Sequence, residues 1–316
     1  MQRPQRAIGG NTYINKVPIL NGYSAAGSAK LHKMPFFDFE SHKLHYSVSG
    51  AETSPSVFLV HGFIVASRVF DSLVAALTPN YRVISMDFLG HGESARPDTS
   101  PLYTADGFHK SIHALLQHLS ISKTVLMGWS MGSKLAFEFA RKYPDLISSL
   151  VLIGTTPMMV APDDTTEFPA LPHSAALALL ENIRTSYSTF YEPFVLGCLP
   201  EYTPGTIPVP TYVQNALEDG KKLNGRIASE IFYNMAVDGD VRSTVGEINT
   251  RSLLICGTKD QLTPVAASEW MVEHLGGEAK LVLFEDVGHT PFVGPSGEKC
   301  IGEILKFIEM DRSEAS

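Results

Sequence analysis

The stretch VLMGWSMGSKL (125–135) sets Ser130 between Gly128 and Gly132 at the end of an apolar run. A serine hydroxyl is a weak nucleophile until a base removes its proton, so any chemistry here needs partners elsewhere in the chain. The plain alternative is a serine N-cap on an ordinary helix. Three fixed positions of common residue types decide little. A base, an acid and donors for a developing oxyanion must be found as well.

Among the 11 histidines, His289 in EDVGHTPF follows the apolar run KLVLF (280–284) on a glycine-preceded loop, where it can serve Ser130 as general base. Asp260 in CGTKDQLTP follows SLLIC (252–256), and a carboxylate there would set the imidazole tautomer. Asp286, three residues before His289, sits poorly for contact with Nδ1. It stays open as a competitor, as do Asp238 and Asp240. A tetrahedral acyl intermediate puts negative charge on one oxygen, which two backbone N–H groups can hold. Met131, next after the serine, offers one, and Phe63 in LVHGFIVAS (59–67) offers the other. His61 in that stretch reads as a brace for the loop.

These residues must be carried to one place by a scaffold. MPFFDFESHKLHYSVSG (34–50) reads as two alternating strands with a turn near Glu40–His42. Short apolar runs follow at 56–60, 82–86, 124–128, 149–154, 252–257 and 280–284, with helical patterns at 67–77, 104–119, 131–142, 264–275 and 297–310. Alternation of this kind predicts an α/β fold with a mostly parallel sheet, whose ligands sit at the carboxyl edge. Residues 157–248 hold no β-type run and are rich in Pro and helical patterns, too long for a plain connection. The expected organisation is a core of 36–156 and 249–312, a helical lid over 157–248, and an N-terminal arm, 1–35.

The formal charge of −8 turns attention away from nucleic acid and anionic membranes as partners. A hydrophobic content of 44% suits a globular chain with ample core. No run approaches the ~18 apolar residues of a membrane span. Cys198, Cys256 and Cys300 lack metal spacing, and a reduced, cytoplasmic compartment is expected. Residues 1–37 carry five basic and no acidic residues, so a mitochondrial address is the alternative, although paired glycines and Pro18 break any sustained amphipathic helix.

LVHGF, DFLGHGES (87–94), GWSMG, GTKDQLTP and VGHTPF, in that order across 36–310, resemble the α/β-hydrolase superfamily in its lid-bearing, esterase-like and proline-iminopeptidase-like branch. The resemblance implies an eight-stranded sheet with an antiparallel second strand, a lid after strand six, Ser130 as nucleophile, His289 as base, Asp260 as its orienter, and Phe63 and Met131 at the oxyanion hole. It implies no metal or organic cofactor. HGF in place of HGGG points away from the hormone-sensitive-lipase-like branch, and a serine elbow away from haloalkane dehalogenases and epoxide hydrolases.

Within the lid, Tyr187, Phe190, Tyr191 and Phe194 form an apolar helical stripe that Pro193 is expected to end. Trp129, Met158, Tyr187, Tyr191 and Phe292 are the expected substrate contacts, with Met159 and Met235 as further soft liners. Lys134 is expected exposed or snorkelling. Glu181, Glu192 and Glu201 are the candidates for holding a peptide amine. The leading expectation is hydrolysis of a carboxylic ester or thioester of a small to medium apolar molecule. The same machinery suits a lactonase, a C–C hydrolase or an aminopeptidase, and the fold also suits a receptor-like or lyase protein. A homodimer stays open.

Overall fold

Strands flanked by helices on both faces are buried on both sides, and so read as unbroken apolar runs. The computed structural model describes residues 35–161, 168, 170–199, 202–237 and 239–314. The N-terminal arm, Glu201 and Asp238 lie outside them. Eight strands form one sheet: β1 (Phe36–Phe39), β2 (His42–Ser49), β3 (Ser56–Val60), β4 (Arg82–Met86), β5 (Thr124–Trp129), β6 (Ile147–Ile153), β9 (Ser252–Gly257) and β10 (Ala279–Phe284). Their order is β1-β2-β4-β3-β5-β6-β9-β10. β2 pairs antiparallel with both β1 and β4, and every later pair is parallel.

The two-residue period of a strand splits the core in two. Val57, Leu59, Val125, Met127, Val151 and Ile153 face one cluster. It also takes in Phe70 and, from α1 (Asp71–Leu77) and α8 (Gly297–Glu314), Leu73 and Phe307. Phe58, Val60, Leu126, Leu150 and Leu152 face the other, covered by α2 (Ala105–His118), α3 (Met131–Lys142) and α7 (Val265–His274). The short connections leave the carboxyl ends of β5, β9 and β10 at one edge.

Between β6 and β9 the chain departs from this rhythm. β7 (Val160–Ala161) and β8 (Leu171–Pro172) form a small parallel pair, which two-residue strands leave no periodicity to reveal. Three helices follow: α4 (His173–Gly197), α5 (Thr211–Lys222) and α6 (Gly225–Phe232), the last running on into a π-helical turn at Tyr233–Val237. α4 runs through Pro193 and breaks from helical geometry at Ser186 instead (φ −131°, ψ 31°). Pro193 removes one N–H donor near the helix end, and past it Phe194 still stacks on Phe190 at 5.3 Å. Ionic contacts tie the insertion to the core: Arg68 to Asp219 at 2.7 Å and Glu218 at 3.1 Å, and Lys222 to Glu93 at 2.5 Å.

Candidate active site

The turn from β5 into α3 holds Ser130 at φ 56°, ψ −125°, a conformation an L-residue adopts only under constraint. The flanking glycines supply the constraint. A Cβ on Gly128 would lie 2.2 Å from the Gly132 carbonyl oxygen, and one on Gly132 would lie 2.0 Å from that of Val60. The Ser130 N–H donates to Ile153 O at 2.9 Å, and its carbonyl accepts from the Ser133 N–H at 2.8 Å. The backbone is thereby pinned at the strand end, and the side chain reaches a cavity of about 370 Å³ between core and insertion. Met131 opens α3, so its N–H lacks an intrahelical acceptor. It shares the cavity wall with Phe63.

Asp260 lies just past β9, buried, with every lone pair directed. Its Oδ1 accepts from the backbone N–H groups of Leu262 and Thr263, both at 2.9 Å. Its Oδ2 accepts from Thr263 Oγ1 at 2.6 Å and from His289 Nδ1 at 2.7 Å. Burial would raise this carboxyl's pKa, but His289 and Thr263 outweigh it and hold it below the usual carboxylate range. Facing a carboxylate, Nδ1 must be the donor, which leaves Nε2 as the acceptor of the neutral ring. Nε2 is buried and has no hydrogen-bond partner among the described residues. The ring needs Gly154 beside it, where a Cβ would come within 2.9 Å of Cε1.

The other carboxylates considered from sequence are elsewhere. Asp286 is exposed and paired with Lys259 at 3.0 Å, and Asp240 is paired with Arg242 at 2.8 Å. His61 is fully buried, its Nδ1 donating to Gly62 O at 2.8 Å and its Nε2 accepting from the Phe88 N–H at 3.1 Å. Both ring nitrogens are therefore spent on bracing the Phe63 loop. Burial lowers its pKa and keeps it neutral.

The five expected substrate contacts do not line the cavity at Ser130. Trp129 is buried, its Nε1 donating to His289 O at 2.8 Å, so it holds the histidine loop from behind. Phe292 is buried between Phe70 and Trp129. Met158 points into a satellite cluster with Phe168 and Ala267, while its neighbour Met159 turns to the cavity. Tyr187 donates to Gly220 O at 2.7 Å, and Tyr191 stacks on Tyr187 against the same glycine. The helical stripe is therefore mainly a packing face onto α5, and only Phe194 of the four reaches the cavity. Met235 lines it, with Phe232 and Lys134 as additions. Lys134 is buried, not exposed, and is paired with Glu138 at 2.7 Å. Glu181 and Glu192 are exposed, and Glu181 is paired with Arg184. Neither lines a cavity near Ser130.

A second, wider cleft of about 740 Å³ is lined by His289, Asp260, Lys259 and Pro193. It shares Phe194, Gln261 and Leu262 with the first. Ser130 and His289 thus face adjoining spaces that meet at these three side chains.

A strained Gly-flanked serine between a buried strand and a helix, with an Asp–His pair past the ends of β9 and β10 at the same sheet edge, defines an α/β-hydrolase. The alpha/beta hydrolase fold family matches residues 55–294, and the chain belongs to it; it is an enzyme of the hydrolase class. Among its relatives is a pimeloyl-(acyl-carrier protein) methyl ester esterase of Nitrosomonas europaea, 26% identical over 79% of this chain and 94% of the esterase. Lipase 3 of Moraxella sp. (strain TA144) is 28% identical over 79% of this chain and 76% of the lipase. A hydrolase structure from Pseudomonas aeruginosa PA01 superposes with a TM-score of 0.75 at 21% identity, over 88% of this chain and 99% of that one. No described helix is long and apolar enough to cross a membrane.

Proposed function

We propose that the chain hydrolyses carboxylic esters or thioesters with small to medium apolar acyl groups, through an acyl-enzyme on Ser130. The single observation that carries this reading is the Asp260–His289 pair: one carboxylate oxygen fixes the Nδ1 proton and leaves Nε2 free to act as a base toward Ser130. Ser130 attacks the carbonyl carbon as Nε2 takes its proton, and Asp260 stabilises the imidazolium. The N–H groups of Phe63 and Met131 hold the oxyanion. His289 then passes the proton to the departing alcohol or thiol, and water repeats the sequence to release the acid.

Proton transfer also orients the substrate. The leaving oxygen or sulfur must meet His289, so the leaving group belongs in the cleft that His289 lines. The acyl group then belongs in the cavity of Phe194, Phe232 and Met235 behind the serine, with the insertion as its lid. The esterase and lipase relatives favour the ester reading. No carboxylate lines the acyl cavity among the described residues, which speaks against an aminopeptidase anchored on a substrate amine. The test is steady-state turnover of p-nitrophenyl esters of increasing acyl length, native against Ser130→Ala. Sustained turnover that vanishes in the variant supports the reading. A native protein that stops after one acylation, or never starts, overturns it in favour of a binding or non-hydrolytic role.

A further inference from the structure

Lys134 is the one charged side chain among the described residues lining the cavity at Ser130; the rest are apolar or neutral. It stands in the first turn of α3, just past the elbow, and lines the same cavity as Ser130. Only 7% of the residue is exposed. Its stem is closed in by Gly239, where a Cβ would come 3.2 Å from Lys134 Cε and 2.3 Å from the Met235 carbonyl. The chain is built tightly over this side chain, which a merely solvated lysine would not require.

Its ammonium has three N–H donors. One goes to Glu138 Oε1 at 2.7 Å, and no other acceptor meets it among the described residues. Glu138 Oε2 is 3.7 Å from His109 Nε2 and has no hydrogen-bond partner there. His109 Nε2 is engaged with Leu135 O at 3.1 Å, and burial pushes the ring's pKa down to about 4, so the ring is neutral. Lys134 and Glu138 therefore balance each other's charge, and Asp240, whose carboxylate also feels Lys134, is balanced by Arg242 at 2.8 Å. A buried ammonium with donors to spare favours an incoming oxygen acceptor. Because the pair is already neutral, a carboxylate would bring an unbalanced negative charge into an apolar site, whereas a ketone or hydroxyl would not.

We propose that Lys134 is a substrate-binding residue that selects acyl groups carrying a neutral oxygen acceptor, a keto or hydroxyl oxygen, a few bonds beyond the scissile carbonyl. This rests on the hydrolase reading, which assigns the cavity to the acyl group. It makes the substrate a functionalised acyl ester and not a plain alkanoate.

The experiment compares p-nitrophenyl hexanoate with its 4-oxo and 5-oxo counterparts, in the native protein and in a Lys134→Met/Glu138→Leu double variant. Removing both charges together strands no carboxylate. At least one oxo ester should exceed the plain ester by about tenfold in kcat/KM, the size of one charge-assisted hydrogen bond. That ratio should fall to about one in the double variant. A native ratio near one for both oxo esters, or a preference that survives in the double variant, overturns the inference and leaves the hydrolase reading standing. If the native protein cleaves none of the esters, the hydrolase reading fails by itself. Binding of hexanamide against its 4-oxo and 5-oxo analogues, followed by calorimetry, then decides: the same tenfold ratio supports the Lys134 subsite, and equal affinities refute it. The same binding pair serves if the double variant does not fold, with Lys134→Met as the comparison.

Discussion

Asp260→Asn should abolish most activity without unfolding the protein, and the structure says why the amide cannot compensate. Two backbone N–H groups, of Leu262 and Thr263, point at Oδ1. They require an oxygen there, so the introduced amide must place its NH₂ where Oδ2 now stands. That NH₂ would face His289 Nδ1 at the position of the present 2.7 Å contact. Two donors cannot share one bond, so the imidazole must present a bare Nδ1 and move its proton to Nε2. Nε2 then has no lone pair for the Ser130 proton. The same exchange in another Ser-His-Asp enzyme costs about 10⁴ in kcat, which is about 5.4 kcal/mol of barrier at 1.36 kcal/mol per factor of ten. The assay is kcat/KM on the best p-nitrophenyl ester, with circular dichroism to confirm the fold. Asp286→Asn is the control. Asp286 is exposed and paired only at the surface, so its loss should change the rate by less than about twofold, in line with the small worth of such pairs. Activity of Asp260→Asn within tenfold of native would refute the tautomer argument, and a large loss in Asp286→Asn would move the orienting role to that residue.

Gly132→Ala puts a Cβ 2.0 Å from Val60 O, so the elbow must give by more than about 1 Å. Such overpacking costs about 1–3 kcal/mol and a displacement of that size about 10² in rate; an unchanged Tm and rate would sink the account of the elbow. Arg68→Met removes the guanidinium from Asp219, which is 1% exposed. Arg68 is itself 31% exposed and Asp219 keeps Lys222 at 3.6 Å, so the loss should be about 1–2 kcal/mol, the size of a charge-assisted hydrogen bond. Hydrogen exchange should rise along α5, and equal stability of the variant would contradict the clamp. His91 and His109 are buried and neutral, with burial pushing their pKa values down to about 3 and about 4. The unfolded chain protonates these rings near pH 6.5 and the folded chain does not, so the stability they carry is whole above that pH and is lost as pH falls toward the folded values. Each should lose about 1–2 kcal/mol between pH 7 and pH 5, and chemical denaturation at the two pH values should show a smaller loss in His109→Gln; an equal loss would contradict it.

The scaffold was legible because its signals are local and redundant. Each central strand is an apolar run bounded by a helical pattern, and the order Ser130, Asp260, His289 places three side chains at one sheet edge whatever the details of the loops. Asp260 could be preferred over Asp286 because a residue at a strand end has a defined place, while one three positions before the histidine does not. The elbow was legible for a harder reason: the clashes at Gly128 and Gly132 are with backbone, so no rearrangement of side chains relieves them.

The pocket wall was not legible, because facing a ligand and facing a neighbour look alike in periodicity. Tyr187 and Tyr191 carry the spacing of an apolar stripe, and it is the position of α5 that turns that stripe onto Gly220 and away from Ser130. The break in α4 at Ser186, with helical geometry kept through Pro193, further sets which residue of the stripe arrives at the cavity. Met158 and Met159 differ by one step of the chain and face opposite ways. Lys134 shows the same limit from the polar side. At i+4 from the nucleophile a lysine reads as surface, and only the return of the chain over it at Gly239 makes it interior. The cavity wall is accordingly set by the contacts between insertion and core, where two distant segments decide together what one segment cannot declare.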